Sequence, residues 1–137
     1  MDNASITLIT TSTAGDATDT AELFTKGEFR LHKGLYYIDY DETEATGYAG
    51  SHVQLCIGGD TMSMTRTGNA FSNLVFERGK RHFCHYGTEY GDCMIGISTV
   101  QLDNSLSEKG GRCHVKYTID INGGLVTENE ITLKVKL

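Results

Sequence analysis

The sequence contains no proline and no tryptophan in 137 residues. About 5% proline, or about seven residues, is usual for a chain of this length. Proline therefore makes none of the turns. That task falls to Gly, Asn and Asp, and 16 glycines are available for it.

Long apolar runs and clusters of basic residues are also lacking. No stretch reaches the roughly 18 apolar residues of a transmembrane helix, and the segment MDNASITLIT has neither a basic region nor a long apolar core. The net charge is -6, and the scattered Lys and Arg residues do not form the basic patch that binds a phosphate backbone. We therefore expect a cytoplasmic protein that binds neither membranes nor nucleic acid.

The cysteines are few and irregularly spaced, with no CxxC pair of the kind that zinc ribbons and redox motifs use: Cys56, Cys84, Cys93 and Cys113. We expect reduced thiols that pack as small apolar side chains. The hydrophobic share of 39% and the charged share of 22% are ordinary for a soluble globular protein. Residues 1–137 are thus expected to form one domain that needs no cofactor.

Alternating apolar and polar residues predict β-strands along most of the chain. In CHVKYTIDI (113–121) every second residue from Cys113 to Ile121 is apolar, and EITLKVKL (130–137) repeats the pattern. Asn122-Gly123-Gly124 between them tolerates positive φ, which predicts a C-terminal hairpin.

About ten strands are predicted in all. The others are residues 5–12, 22–32, 35–42, 52–57, 61–66, 71–77, 82–87 and 92–102, whereas 14–22 and 103–109 are predicted to be a short helical turn or loop. Without crossover helices the sheet must be antiparallel. A closed up-and-down barrel is favoured over a sandwich, because short hairpins build a meander and closure removes its exposed edges.

Five segments, taken in this order, are characteristic of a known family: MTRTG (64–68), VFERGKRHFCHYGTEYG (75–91), MIGISTVQL (94–102), KGGRCHVKYTIDINGG (109–124) and ENEITLKV (128–135). Together they give the chain a resemblance to the YwiB-like family of bacterial proteins of unknown function from the Firmicutes. It implies an all-β, antiparallel, calycin-like barrel of the lipocalin type with eight to ten strands, and no assigned activity. Where the family usually has proline in its turn, this chain has Glu89.

The stretch HFCHYGTEYGDCM (82–94) holds two histidines and two cysteines in thirteen positions and so looks at first like a metal site. On a hairpin centred near Glu89, His82 and His85 would point to opposite faces. Pairing Gly87 with Gly91 would set His85 across from Cys93, but a structural zinc needs four ligands and no others converge. A structural turn is the preferred interpretation, with a metal site or a reactive thiol as alternatives.

Two charged residues share the apolar faces of their predicted strands. Glu42 follows Tyr36, Ile38 and Tyr40, and Arg66 follows Met62 and Met64, which brings both charges inward at one rim of a barrel. Because a buried charge is costly unless it is paired, Glu42 and Arg66 are predicted to pair with each other or to contact a ligand. Solvent exposure at the strand ends is the third possibility.

Three functions remain open from the sequence. The first is a module that binds a small, partly apolar or amphipathic molecule in the barrel, near Glu42, Arg66, His82, Tyr86 and Tyr90. The second is a structural or regulatory protein, monomer or homodimer, that acts through its outer surface. The third, less favoured, is an enzyme that uses Glu42, His82 or Arg66 for proton transfer. The carboxylates Asp39, Asp41, Glu42 and Glu44 resemble the paired carboxylates of acid-base catalysis, but a solvated loop is the preferred interpretation, because the segment DYDETEATGYAG (39–50) is polar and contains glycine.

Overall fold

The computed structural model describes residues 2–43, 49–88, 91–122 and 124–137, apart from the side chain of Thr88. Ten strands account for most of them: β1 (Ala4–Ala14), β2 (Ala17–His32), β3 (Leu35–Asp41), β4 (Ser51–Gly58), β5 (Thr61–Gly68), β6 (Ser72–Glu77), β7 (Arg81–Thr88), β8 (Gly91–Asn104), β9 (Gly110–Ile121) and β10 (Gly124–Lys136). No helix long and apolar enough to cross a membrane occurs within those ranges.

Each strand pairs antiparallel with its neighbours in sequence, and β1 pairs with β10 to close the sheet into a barrel. Leu8 illustrates the closure, since it stands opposite Leu23 of β2 on one side and Leu133 of β10 on the other. The predicted all-β, up-and-down antiparallel barrel is therefore confirmed. Its strand number lies at the upper limit of the predicted range.

The inner face of the barrel carries the core that the alternation predicted. Val53, Leu55 and Ile57 of β4 are completely buried, whereas the residues between them are half-buried. Met62 and Met64 of β5 also point inward. The period of two thus placed these side chains correctly, because one face of every strand is covered by the opposite wall of the barrel.

The turns use the residues that the absence of proline leaves available. Asn122 has a φ of 53° between β9 and β10, as a tight hairpin requires. Gly68 at the end of β5 has a φ of +100°, and a Cβ there would lie 2.6 Å from the carbonyl oxygen of Gly50. A side chain is excluded at Gly68 by backbone conformation and by space alike.

The prediction of a helical turn or loop over residues 14–22 is wrong. β2 already begins at Ala17, and its first part forms a long hairpin with β1, with Thr13 opposite Thr18. The hydroxyl oxygens of Thr13 and Thr18 are 3.1 Å apart. Both faces of this hairpin are partly or fully exposed, so the segment shows no apolar alternation from which a strand could be recognised.

Candidate functional site

The two ends of the barrel are filled differently. Large buried side chains, among them Ile6, Leu55, Phe76 and Leu133, occupy the end where β1 begins and β2 ends. Towards the other end the interior holds a cavity of about 520 Å³. This volume lies within the range of about 300–1,000 Å³ that is typical of small-molecule sites.

The walls of the cavity are mainly apolar. They comprise Leu8, Leu23, Met64, Leu74, Ile95, Ile119, Ile121, Val126 and Ile131, together with Ala21, Tyr86, Cys93 and Tyr117, and the polar residues Thr10, Thr11, Ser12, Glu22, Glu42, Arg66, Thr127 and Asn129. Every one of these residues belongs to a strand except Glu42, which directly follows β3. A rigid sheet therefore positions nearly all of the site.

Glu42 and Arg66 form a buried ion pair in the wall of the cavity. Oε1 of Glu42 accepts hydrogen bonds from Nη2 of Arg66 at 2.8 Å and from Nε at 3.2 Å. The side chains are only 9% (Arg66) and 2% (Glu42) exposed. The predicted pairing is confirmed. The two charges are desolvated together, and each compensates the other.

The pairing follows from the strand register. Arg66 of β5 stands opposite Val53 of β4, and the backbone amide of Glu42 donates to the carbonyl oxygen of Ser51, two residues earlier on β4. Ser51 is buried, and its small side chain lies on the strand that separates the two charged residues. The carboxylate and the guanidinium thus meet across one intervening strand.

Two tyrosines near the ion pair and the cavity are neutral. Burial, together with the negative charge of Glu42, raises the pKa of Tyr40 far above its ordinary value. Burial also raises the pKa of Tyr117 to about 12. The ring of Tyr117 packs edge-to-face on Phe76, with centroids 4.7 Å apart, and so connects the cavity wall to the filled end of the barrel.

The structure brings together three of the five residues predicted for a ligand site. Glu42, Arg66 and Tyr86 all line the cavity. His82 does not; its Nε2 lies 2.9 Å from Oε1 of Glu77, outside the cavity wall. Tyr90 lies outside the described residues. Tyr117 was not predicted as a site residue, although its place in the alternating pattern of β9 marked it as inward-facing.

In the stretch HFCHYGTEYGDCM the predicted register was wrong by one residue. Thr88 pairs with Gly91, so that Tyr86 faces Cys93 and His85 faces Met94. Nε2 of His85 lies 3.2 Å from Oδ2 of Asp92 instead. Within the described ranges no three His, Cys, Asp or Glu side chains approach closely enough to hold a metal ion.

The thiols differ in environment. Cys84 and Cys113 are buried, which raises the pKa of both and, for Cys113, raises it to about 11. The sulfur of Cys84 accepts a hydrogen bond from the backbone amide of Val75 at 3.3 Å. Cys93 is exposed and lines the cavity. The buried pair are thus packing residues, as the sequence predicted.

The solvated loop predicted for four carboxylates is wrong for the three that the structure describes: Asp39 and Asp41 lie on the outer face of β3, and Glu42 is buried in the cavity wall. Glu44 lies outside the described residues. Nδ1 of His52 is 3.0 Å from Oδ1 of Asp41, and Nε2 is 3.0 Å from Oδ1 of Asp39. Both ring nitrogens face carboxylates, so the doubly protonated ring is favoured. The hydrogen bond to Asp41, followed by that to Asp39, raises the pKa of His52.

We expect His52 to make a small, pH-dependent contribution to stability. A raised folded-state pKa means that this contribution is complete below the unfolded value of about 6.5 and is lost as the pH rises through the folded value. The side chain is 45% exposed, so the contribution should be below about 1 kcal/mol. Urea unfolding of the wild type and of His52→Gln should differ at about pH 6 and converge at about pH 8.5. An equal difference at both pH values would contradict this assignment.

Together, these features define a class: a small, closed antiparallel β-barrel that is packed at one end and has an open, ligand-sized cavity towards the other. The chain belongs to the family described as a domain of unknown function, DUF1934, whose model matches residues 6–133. Among solved structures it is similar to the crystal structure of the ywiB protein from Bacillus subtilis, with a TM-score of 0.84 and 16% sequence identity over 97% of this chain and 89% of that one. No curated protein matches it. The predicted YwiB-like membership is therefore confirmed.

Proposed function

We propose that this protein binds a small, partly apolar molecule in the barrel cavity, in the cytoplasm. The observation that supports the proposal is the cavity itself, about 520 Å³ of space with mainly apolar walls and a buried ion pair at one side. Space of this size is uncommon in protein interiors, which are otherwise close-packed. We also propose that the barrel is calycin-like, as the resemblance to the YwiB-like family implies.

The uneven filling of the barrel favours binding over a purely structural role. Phe76 and Leu55 are fully buried in the core, whereas Ile119 and Tyr117, which line the cavity, are only partly buried. A barrel selected only for stability would gain from filling this space as well, because empty volume forfeits dispersion contacts.

A second candidate function is protein association through the outer surface. Phe71 and Met94 are exposed on neighbouring parts of the outer face, where Phe71 packs edge-on against His85 at 5.2 Å and His85 stands opposite Met94. Phe83, two residues from His85, is 65% exposed. Apolar groups gathered in this way are typical of contact surfaces, and the candidate predicts a homodimer whose dissociation follows Phe83→Ser.

The proton-transfer hypothesis receives less support. It requires Glu42, Arg66 and His82 within hydrogen-bond reach in one cleft. Glu42 and Arg66 bind each other in the cavity wall, whereas His82 binds Glu77 outside it. A proton donor or acceptor other than His82 would have to complete such a site.

Filling the cavity should abolish ligand binding. In Ile119→Trp the larger indole side chain would fill part of the cavity, because residue 119 lines it. Native and denaturing mass spectra of protein purified gently from a cytoplasmic host should show an organic adduct of a few hundred daltons on the wild type, in keeping with the cavity volume. We expect the variant to lose that adduct.

The matched control is Val100→Trp, which adds the same ring to an outer-face position that is 67% exposed. This variant should keep the adduct. An adduct that persists in Ile119→Trp would contradict binding in the cavity. Protein association through the outer surface would be favoured if no spectrum shows an adduct and if the wild type is a dimer that dissociates in Phe83→Ser.

A further inference from the structure

The charges that line the cavity are few, and they sum to a negative value. Among the lining residues that the structure describes, the charged ones are Glu22, Glu42 and Arg66, a formal sum of -1. Glu22 is exposed, so solvent screens it, whereas Glu42 and Arg66 are buried. The electrostatic character of the cavity is therefore set mainly by the ion pair.

The positive charge of Arg66 is already compensated inside the protein. One carboxylate oxygen of Glu42 accepts hydrogen bonds from Nη2 of Arg66 at 2.8 Å and from Nε of Arg66 at 3.2 Å. An anionic ligand that approached this guanidinium would place a second negative charge beside Glu42 in a poorly solvated space. Repulsion in such surroundings is much stronger than in water, and the ligand would also lose its own hydration.

The other polar groups of the wall are uncharged. Thr10, Thr127, Asn129, Tyr86 and Tyr117 offer hydroxyl and amide groups. Tyr117 keeps its proton at neutral pH, since its pKa is about 12. Nδ2 of Asn129 donates to Oγ1 of Thr127 at 2.8 Å, which orients this part of the wall. These groups suit hydroxyl, carbonyl or amide partners on a ligand.

We propose that the ligand is an uncharged amphipathic molecule, with an apolar body and hydroxyl, carbonyl or amide groups, and that the Glu42–Arg66 pair excludes carboxylates, sulfonates and phosphates. This inference rests on the proposed function, and it names the ligand class for the same cavity. It distinguishes this barrel from one in which an uncompensated arginine would attract the acid group of a fatty acid.

Two fluorescent probes that share the anilinonaphthalene skeleton test the inference. N-phenyl-1-naphthylamine is uncharged, and 8-anilinonaphthalene-1-sulfonate adds one sulfonate. Titration of the wild type should give a Kd for the uncharged probe at least about tenfold lower than that for the sulfonate. Ile119→Trp should lose the uncharged probe, which assigns the signal to the cavity.

Removing the carboxylate of Glu42 should remove the preference for the uncharged probe. In Glu42→Gln the guanidinium of Arg66 keeps its charge without the carboxylate, so the Kd for the sulfonate should fall by at least about tenfold relative to that for the uncharged probe. Glu108→Gln, an exposed change in the connection between β8 and β9, is the matched control and should leave both values as in the wild type. Should Glu42→Gln not fold, Glu22→Gln at the exposed edge of the cavity should move the ratio in the same direction by about twofold.

The outcomes separate the two proposals. If the wild type binds both probes equally and Ile119→Trp loses both, the cavity binds ligands but the exclusion of anions is wrong. If the wild type prefers the sulfonate, the inference is overturned in the same way. If neither probe binds the wild type, the proposed function fails, and the ligand class fails with it.

Discussion

Arg66→Met will lower the free energy of unfolding by about 3–5 kcal/mol, the usual loss when one partner of a buried ion pair is removed. Methionine keeps the length of the apolar stem of Arg66 but leaves the carboxylate of Glu42, 2% exposed, without its guanidinium. The loss of such a partner strongly disfavours a buried carboxylate. Urea unfolding followed by far-UV circular dichroism measures the change.

Two matched variants show whether the loss comes from the pair. The double variant Glu42→Leu with Arg66→Met removes both charges at similar volume and should recover most of the loss, because apolar replacements of buried pairs are often neutral or stabilising. Lys80→Met breaks the surface pair with Glu77, where Lys80 is 67% exposed, and should change the stability by less than about 1 kcal/mol. Stability unchanged in Arg66→Met would mean that the pair is not buried in solution.

The ion pair shows how much of the site was predictable from sequence. The period of two assigned Glu42 and Arg66 to inward faces, and the cost of burying a charge required a partner for each. Neither argument needed the register between strands. Tyr86 was placed by the same alternation and also lines the cavity. What alternation alone decides, namely the face on which a side chain lies, was therefore predicted well.

Properties that depend on position along the barrel axis were not predictable in this way. His82 shares a face with Cys84 and Tyr86, yet it lies four residues from Tyr86 and outside the cavity. Alternation carries no information on which end of a strand reaches a lumen. The register of β7 and β8 depended on whether the loop between them began after Gly87 or after Thr88. This difference of one residue places Cys93 opposite Tyr86 instead of opposite His85.

The outer part of the β1–β2 hairpin, residues 14–22, was not predicted for a different reason. Its strands extend beyond the part of the barrel where an opposite wall covers them, so selection for apolar residues on one face is relaxed. Threonines on both strands stabilise it through cross-strand pairs such as Thr11 with Thr20. Threonine is a good strand residue, and its enrichment in this segment was the available signal.

Phe76→Ala will also destabilise the protein by about 3–5 kcal/mol, the range measured when a large aromatic residue is removed from a core. Phe76 is fully buried on β6 opposite Met62, and its ring supports Tyr117 at the cavity wall. Alanine would leave a void beneath Tyr117 that the closed barrel cannot collapse to fill. Urea unfolding measures the loss, and an unchanged m-value would show that the variant still unfolds as one unit.

The control for this change is Phe24→Ala on β2, the same substitution at a side chain that is 71% exposed; it should alter stability by less than about 0.5 kcal/mol. A loss below about 1.5 kcal/mol in Phe76→Ala would mean that the end of the barrel next to Phe76 is already loosely packed. With the expected loss, the new void would lie directly beneath Tyr117, whose ring could then turn and join the void to the cavity. Phe76→Ala should then accept a probe one ring longer than the wild type binds, which would establish Phe76 and Tyr117 together as the floor that limits ligand length.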